Sequence, residues 1–130
     1  MDNDGQRLKM AFLYVAIGGA IGAVARYAIS LLPIKSEFPI LTLITNVLGA
    51  ILIGFIVGFF EGKENTSPNT LLFLKTGVCG GFTTFSTFSL EAYNLFYDKS
   101  YVLGTIYAIL SVVLCVIGIF FGKRISMLIK

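Results

Sequence analysis

The sequence predicts an all-α membrane protein with four transmembrane helices per subunit, the third of them broken at its centre. Three observations carry this. Apolar residues make up 56% of the 130 residues and charged residues only 13%, with a mean hydropathy of +0.87, a balance that excludes an ordinary soluble domain. The apolar residues fall into four blocks, each near the roughly 20 residues that a bilayer core requires. Short polar loops join them and leave room only for a single transmembrane domain, residues 1–130.

The first span, 10–32, runs Met10 to Leu32 and is charged only at Arg26. Arg7, Lys9 and the Ala23-Val24-Ala25 segment imitate a secretory leader and its cleavage site. Gly18, Gly19 and Gly22 interrupt the apolar run before that site, and apolar sequence continues through Tyr27 to Leu32, so the block is read as a retained span. Pro33 and Pro39 bracket the turn into the second span, 40–60, which carries no charge. Ala50, Gly54 and Gly58 recur every four residues on it, as Gly18 and Gly22 do on the first. Such small-residue stripes let helices approach closely in lipid and are read as packing faces. Four tightly packed helices enclose little space, so an oligomer is expected.

The third span, 71–97, is charged at Lys75 near its start and Glu91 late in it. Within it lies Gly80-Gly81-Phe82-Thr83-Thr84-Phe85-Ser86-Thr87-Phe88-Ser89, in which five of ten residues carry hydroxyls. In lipid every such group needs a partner in protein, water or a bound ion. The glycine pair permits the helix to break there, freeing backbone carbonyls that suit a cation. The fourth span, 101–122, is uncharged and places Tyr107, Ser111 and Cys115 at four-residue intervals on one face. Cys79 and Cys115 lie in different spans without metal-ligand spacing and read as free, buried thiols.

With four spans both termini share one side. Arg7, Lys9, Lys63, Lys75, Lys123, Arg124 and Lys130 lie there, against Lys35, Lys99 and Arg26 opposite. This bias favours cytoplasmic termini. No nucleic-acid partner is expected; the partners are membrane lipid and whatever passes the polar segment.

The intramembrane polar residues narrow that cargo. Asn46 offers two donors and one acceptor; it reads equally as interhelical glue and as a functional group. Glu91, the one acidic residue in any span, is a functional candidate because burying its charge is costly. Arg26, near a span end, can snorkel to the interface. The inventory is rich in hydroxyl and amide donors and has no histidine, which supports neither metal transport nor acid–base catalysis. Donors suit an anion, and so do the positive ring edges of Phe82, Phe85 and Phe88.

The run GGFTTFSTFSLE resembles the third-span motif of the Fluc fluoride channel family, also called CrcB. The segments Gly18-Gly19-Ala20-Ile21-Gly22-Ala23-Val24-Ala25-Arg26-Tyr27 and Asn46-Val47-Leu48-Gly49 resemble its first- and second-span motifs, so the likeness covers essentially the whole chain. It implies an antiparallel dimer with two fluoride pores and a structural Na+ at the dimer centre. Backbone carbonyls of Gly80 and Thr83 from both subunits would hold that ion. The resemblance assigns to the fluoride pathway Asn46, Phe85 and Phe88, with hydroxyls from Ser86 and Thr87. It also matches Arg26 to a basic residue near the aqueous mouth, Glu91 to the acid closing the motif, and Tyr107, Ser111 and Cys115 to a polar track. Cys115 departs from the pattern, because a thiol is a poorer donor than the Ser or Thr expected there.

The function implied is fluoride-selective, passive efflux across the cell's inner membrane, without enzymatic activity. The antiparallel homodimer conflicts with the charge bias, since one sequence must then insert both ways; a heterodimer with a paired homologue is the alternative. A reading from another class is a proton-coupled exporter of small cations with Glu91 as carrier. A third is an accessory subunit with no flux of its own.

Overall fold

The computed structural model describes residues 3–130. Its helices are α1 (Asn3–Ser30), α2 (Ile40–Phe60), α3 (residues 68–82), α4 (Phe85–Tyr97) and α5 (Tyr101–Ile129). Of these, α1, α2 and α5 are each long and apolar enough to cross a membrane. The third span is divided between α3 and α4. Helix α3 opens with Pro68 at its first position, where a missing amide costs nothing. It then winds as a π-helix over Leu72–Cys79 before a last turn at Gly80–Phe82. The wider i→i+5 winding is rare and concentrates at functional sites.

Two helix pairs make the body: α1 lies along α3, α2 lies along α5, and α4 folds back onto α5. The glycines decide how close the pairs come. A Cβ on Gly22 would collide with the Val78 carbonyl and the Phe82 amide, and one on Gly81 with the Gly19 carbonyl. In the second pair Gly54 meets the Ile119 carbonyl and Gly122 the Ile51 carbonyl. The stripes are packing faces, as their spacing predicts. The apolar cluster of Leu43, Ala92, Leu95 and Tyr107 ties α2, α4 and α5 together, with Phe38 and Phe88 packed against it. Outward-facing Phe12, Val24, Val102 and Phe120 are largely exposed, a surface made for lipid.

Helix α2 has the predicted boundaries, while α1 begins earlier and leaves Leu31 and Leu32 in the following turn. Helix α5 runs past Gly122 to Ile129. At the roughly 1.5 Å rise per residue of an α-helix it is about 43 Å long, more than the hydrocarbon core. Its end therefore reaches headgroup level, where Lys123 pairs with Glu61 at 3.2 Å and Lys130 reaches the Gly58 and Glu61 carbonyls. At the other end Lys99, with φ +62°, closes α4 in the left-handed cap conformation usually given to glycine.

The break in the third span sits beyond the glycine pair. Gly80 is helical, with φ −64° and ψ −39°. The chain turns extended at Thr83 (φ −81°, ψ 155°) and Thr84 (φ −147°, ψ 115°). Gly81 serves close packing against α1, Gly80 faces open space, and side chains make the break.

Candidate functional site

Asn46 builds the site. Its Nδ2 donates to the Thr84 carbonyl at 3.0 Å, and its Oδ1 accepts the Thr84 amide at 2.7 Å. One side-chain amide thus satisfies both backbone groups of an extended residue inside the membrane, where no strand or water would. The Thr84 amide is the donor that a continuing helix would have given to the Gly80 carbonyl. Its capture leaves that carbonyl without its helical partner. Thr83 closes the end of α3, its amide and its hydroxyl both donating to the Cys79 carbonyl at 3.0 and 2.9 Å. Thr84 then caps α4: its Oγ1 accepts the Thr87 amide at 3.1 Å and donates to Thr87 Oγ1 at 3.0 Å. Such caps satisfy an otherwise orphaned helical donor.

Around this break lies a cavity of about 430 Å³. Asn46, Thr83, Phe85, Phe88, Ser111 and Cys115 contribute to its wall. The rings of Phe85 and Phe88 stand 5.4 Å apart, tilted by 47°. The Ser111 hydroxyl is buried with no hydrogen-bond partner among the described residues. A buried unpartnered hydroxyl is costly, and here it lines a space large enough for a guest. Among the described residues no carboxylate lines this cavity, and one cation does, Lys75.

Behind Phe88 lies a second polar group. Glu91 accepts from Thr42 Oγ1 at 2.8 Å and from the Tyr107 hydroxyl at 2.7 Å. Tyr107 is fully buried, its ring 5.1 Å from Phe88 and 5.4 Å from Phe38. Both carboxylate oxygens are thereby hydrogen-bonded by neutral donors from two other helices.

The predicted residues therefore separate into three groups. Asn46, Phe85, Phe88, Ser111, Gly80 and Thr83 share the main cavity with Cys115. Glu91 and Tyr107 form the cluster behind it. Arg26 and Thr87 line a smaller hollow of about 100 Å³ with Thr42 and Thr84, and Arg26 Nε donates to the Gly81 carbonyl at 3.2 Å. There a cation offsets the negative end of the interrupted helix. Ser86 lies at the surface, 3.3 Å from Thr84 Oγ1. The hydroxyls of Ser86 and Thr87 are thus engaged at the cap. Both cysteines are free and line the cavity; Cys79 is buried as expected, whereas Cys115 is only half-buried.

Sequence reasoning missed Thr42, Lys75 and Thr84 as parts of the site. Thr42 had one signal, its place one helical turn before Asn46. Lys75 carries in the sequence only the signal of a topology charge.

The chain as a whole is similar to known proteins. Residues 13–123 match the family model described as CrcB-like protein, Camphor Resistance (CrcB). A protein of Ruminiclostridium cellulolyticum named Fluoride-specific ion channel FluC is 45% identical over 115 residues, covering 86% of this chain and 88% of its own. Fluoride-specific ion channel FluC 1 of Staphylococcus epidermidis is 39% identical over 117 residues, 90% of this chain and 97% of its own. Fluoride-specific ion channel FluC 2 of Staphylococcus saprophyticus is 38% identical over 121 residues, 90% of this chain and all of its own. Matched along nearly its whole length, this membrane protein belongs to the CrcB-like protein family.

Proposed function

We propose that the protein is a fluoride-selective channel, not an enzyme, through which fluoride leaves the cytoplasm passively. The observation that carries this is the cavity beside the broken helix. There an unpartnered Ser111 hydroxyl, the Asn46 amide and two phenylalanines converge with no described carboxylate in the wall. Asn46 still has one amide hydrogen beyond the bond it makes to Thr84. Hydroxyl and amide donors replace part of fluoride's hydration, and positive ring edges supply more. The names of the FluC relatives support fluoride as the cargo. Hydrogen fluoride enters cells neutral and dissociates in a less acidic cytoplasm. An inside-negative potential, worth roughly 2.3 kcal/mol per charge per 100 mV, then favours the anion's exit. The channel would thus protect the cell from fluoride, working in its inner membrane.

The working unit in this reading is an antiparallel dimer with Na+ at its centre. Phe85 is 78% exposed and Gly80 and Ser86 are exposed beside it, an incomplete wall that a second copy would complete. The Gly80 carbonyl, stripped of its helical donor, and the nearby Thr83 carbonyl are hard oxygen ligands suited to a small cation. Such an ion would offset part of the cost of an anion in a low-dielectric site. A heterodimer is the second reading, favoured by the charge bias and by relatives numbered FluC 1 and FluC 2.

The test is fluoride-electrode efflux from liposomes containing this protein alone. Rapid, electrogenic efflux without proton coupling is expected. Strict proton coupling that disappears with Glu91→Gln would instead establish an exporter. Silence alone with activity after co-expression of a homologue would establish the heterodimer.

A further inference from the structure

We propose that Lys75 is the anion-gathering residue of the cavity, raising the local concentration of the permeating ion ahead of the donors that select it. The inference rests on the channel reading. Lys75 lines the same cavity as Asn46, Ser111 and Cys115 and is the one charged side chain among its described lining residues. It lies within the π-helical stretch Leu72–Cys79, and both it and Gly80 stand on the cavity wall. Lys75 is exposed, and the ion pair found among the described residues, Lys123 with Glu61, does not involve it. Its charge is thus available to the cavity.

The physical consequence follows from the walls. A cleft with low-dielectric sides and one sign of charge focuses the field and raises the local counter-ion concentration. The lysine stem can lie along the apolar wall while the ammonium stays at the wet end. An ammonium is a strongly hydrated point charge, so it attracts fluoride without having to strip its water. Dehydration is left to the buried Ser111 hydroxyl and the half-buried Asn46 amide. Lys75 therefore governs how often an ion arrives, and those donors govern which ion passes.

Liposome efflux at low ionic strength tests this directly. Lys75→Gln lowers the initial fluoride rate about threefold or more, and Lys75→Glu lowers it further. Lys75→Arg, which keeps the charge, stays within about twofold of the unmodified protein. Adding about 0.5 M of a salt with an impermeant anion brings the unmodified and Lys75→Gln rates together, because the screening length shrinks to a few ångströms. The preference for fluoride over chloride is unchanged in all variants. A Lys75→Gln rate equal to that of the unmodified protein at low salt overturns the proposal. So does a loss by the same factor at both salt levels, which is how a structural defect would behave. If the unmodified protein carries no fluoride either alone or with a co-expressed homologue, the channel reading itself falls and takes this inference with it.

Discussion

Asn46 fixes where the third span stops being helical. Extended backbone in the middle of a membrane helix leaves an amide and a carbonyl that hydrocarbon cannot solvate, and the Asn46 side chain meets both, at 2.7 and 3.0 Å. Replacing it with alanine leaves two half-buried backbone groups unpartnered at a cost of about 1–3 kcal/mol each where water cannot reach them. Asn46→Ala is therefore expected to lower the melting temperature in detergent and to abolish fluoride flux. Asn46→Asp, which can still accept the Thr84 amide, should recover part of the stability without recovering flux. Equal stability of Asn46→Ala and the unmodified protein in a detergent melt would refute the clamp. The sequence made Asn46 visible as a polar residue in an oily span but could not separate glue from function. Its partner lies 38 positions away; the structure shows the glue, and the proposed channel gives the spare amide hydrogen its function.

At the scale of elements, the apolar blocks were legible because membrane thickness imposes their length. The small-residue stripes were legible because close packing demands their spacing. The π-helical winding of α3 was not, since an i→i+5 repeat leaves no hydrophobic period to read. The break falls at Thr83 and Thr84 rather than at the glycines themselves: a glycine pair announces backbone freedom, yet Gly80 and Gly81 remain helical. Gly81 is small because the Gly19 carbonyl lies against it. The α1–α3 seam offers a matched test. A Cβ at Gly22 would collide with the backbone of Val78 and Phe82, whereas one at Gly19 meets nothing within 4 Å. Gly22→Ala should destabilise by about 1–3 kcal/mol through overpacking. Gly19→Ala should be neutral or stabilising by up to about 1 kcal/mol through helix propensity. Thermal melts of the two variants in one detergent check this, and equal shifts would mean that the seam is not tightly packed.

For the whole molecule the issue is which way the chain inserts. Loop charges place seven basic residues on the side of the termini and three opposite, which argues for one orientation. The broken helix argues for two. Phe85, Ser86 and Gly80 are exposed at the polar centre of the third span, where lipid would be a poor neighbour. A second copy running the other way would bring the same groups to the same depth, because the break lies near the middle of its span. One chain's sequence shows only that hydroxyls and carbonyls need covering, not what covers them. Single cysteines at Asn65 and Asp98, in the second and third loops and in a background lacking Cys79 and Cys115, discriminate the two orientations. Neither substitution alters the Lys and Arg count, which sets topology, while acidic residues contribute little to it. An antiparallel homodimer predicts that a membrane-impermeant maleimide applied outside intact cells labels about half of each variant, since dual insertion leaves each loop outside in half of the copies. Complete labelling at Asp98 with none at Asn65 would fix the termini in the cytoplasm. An antiparallel assembly would then require a second gene product carrying the opposite charge bias.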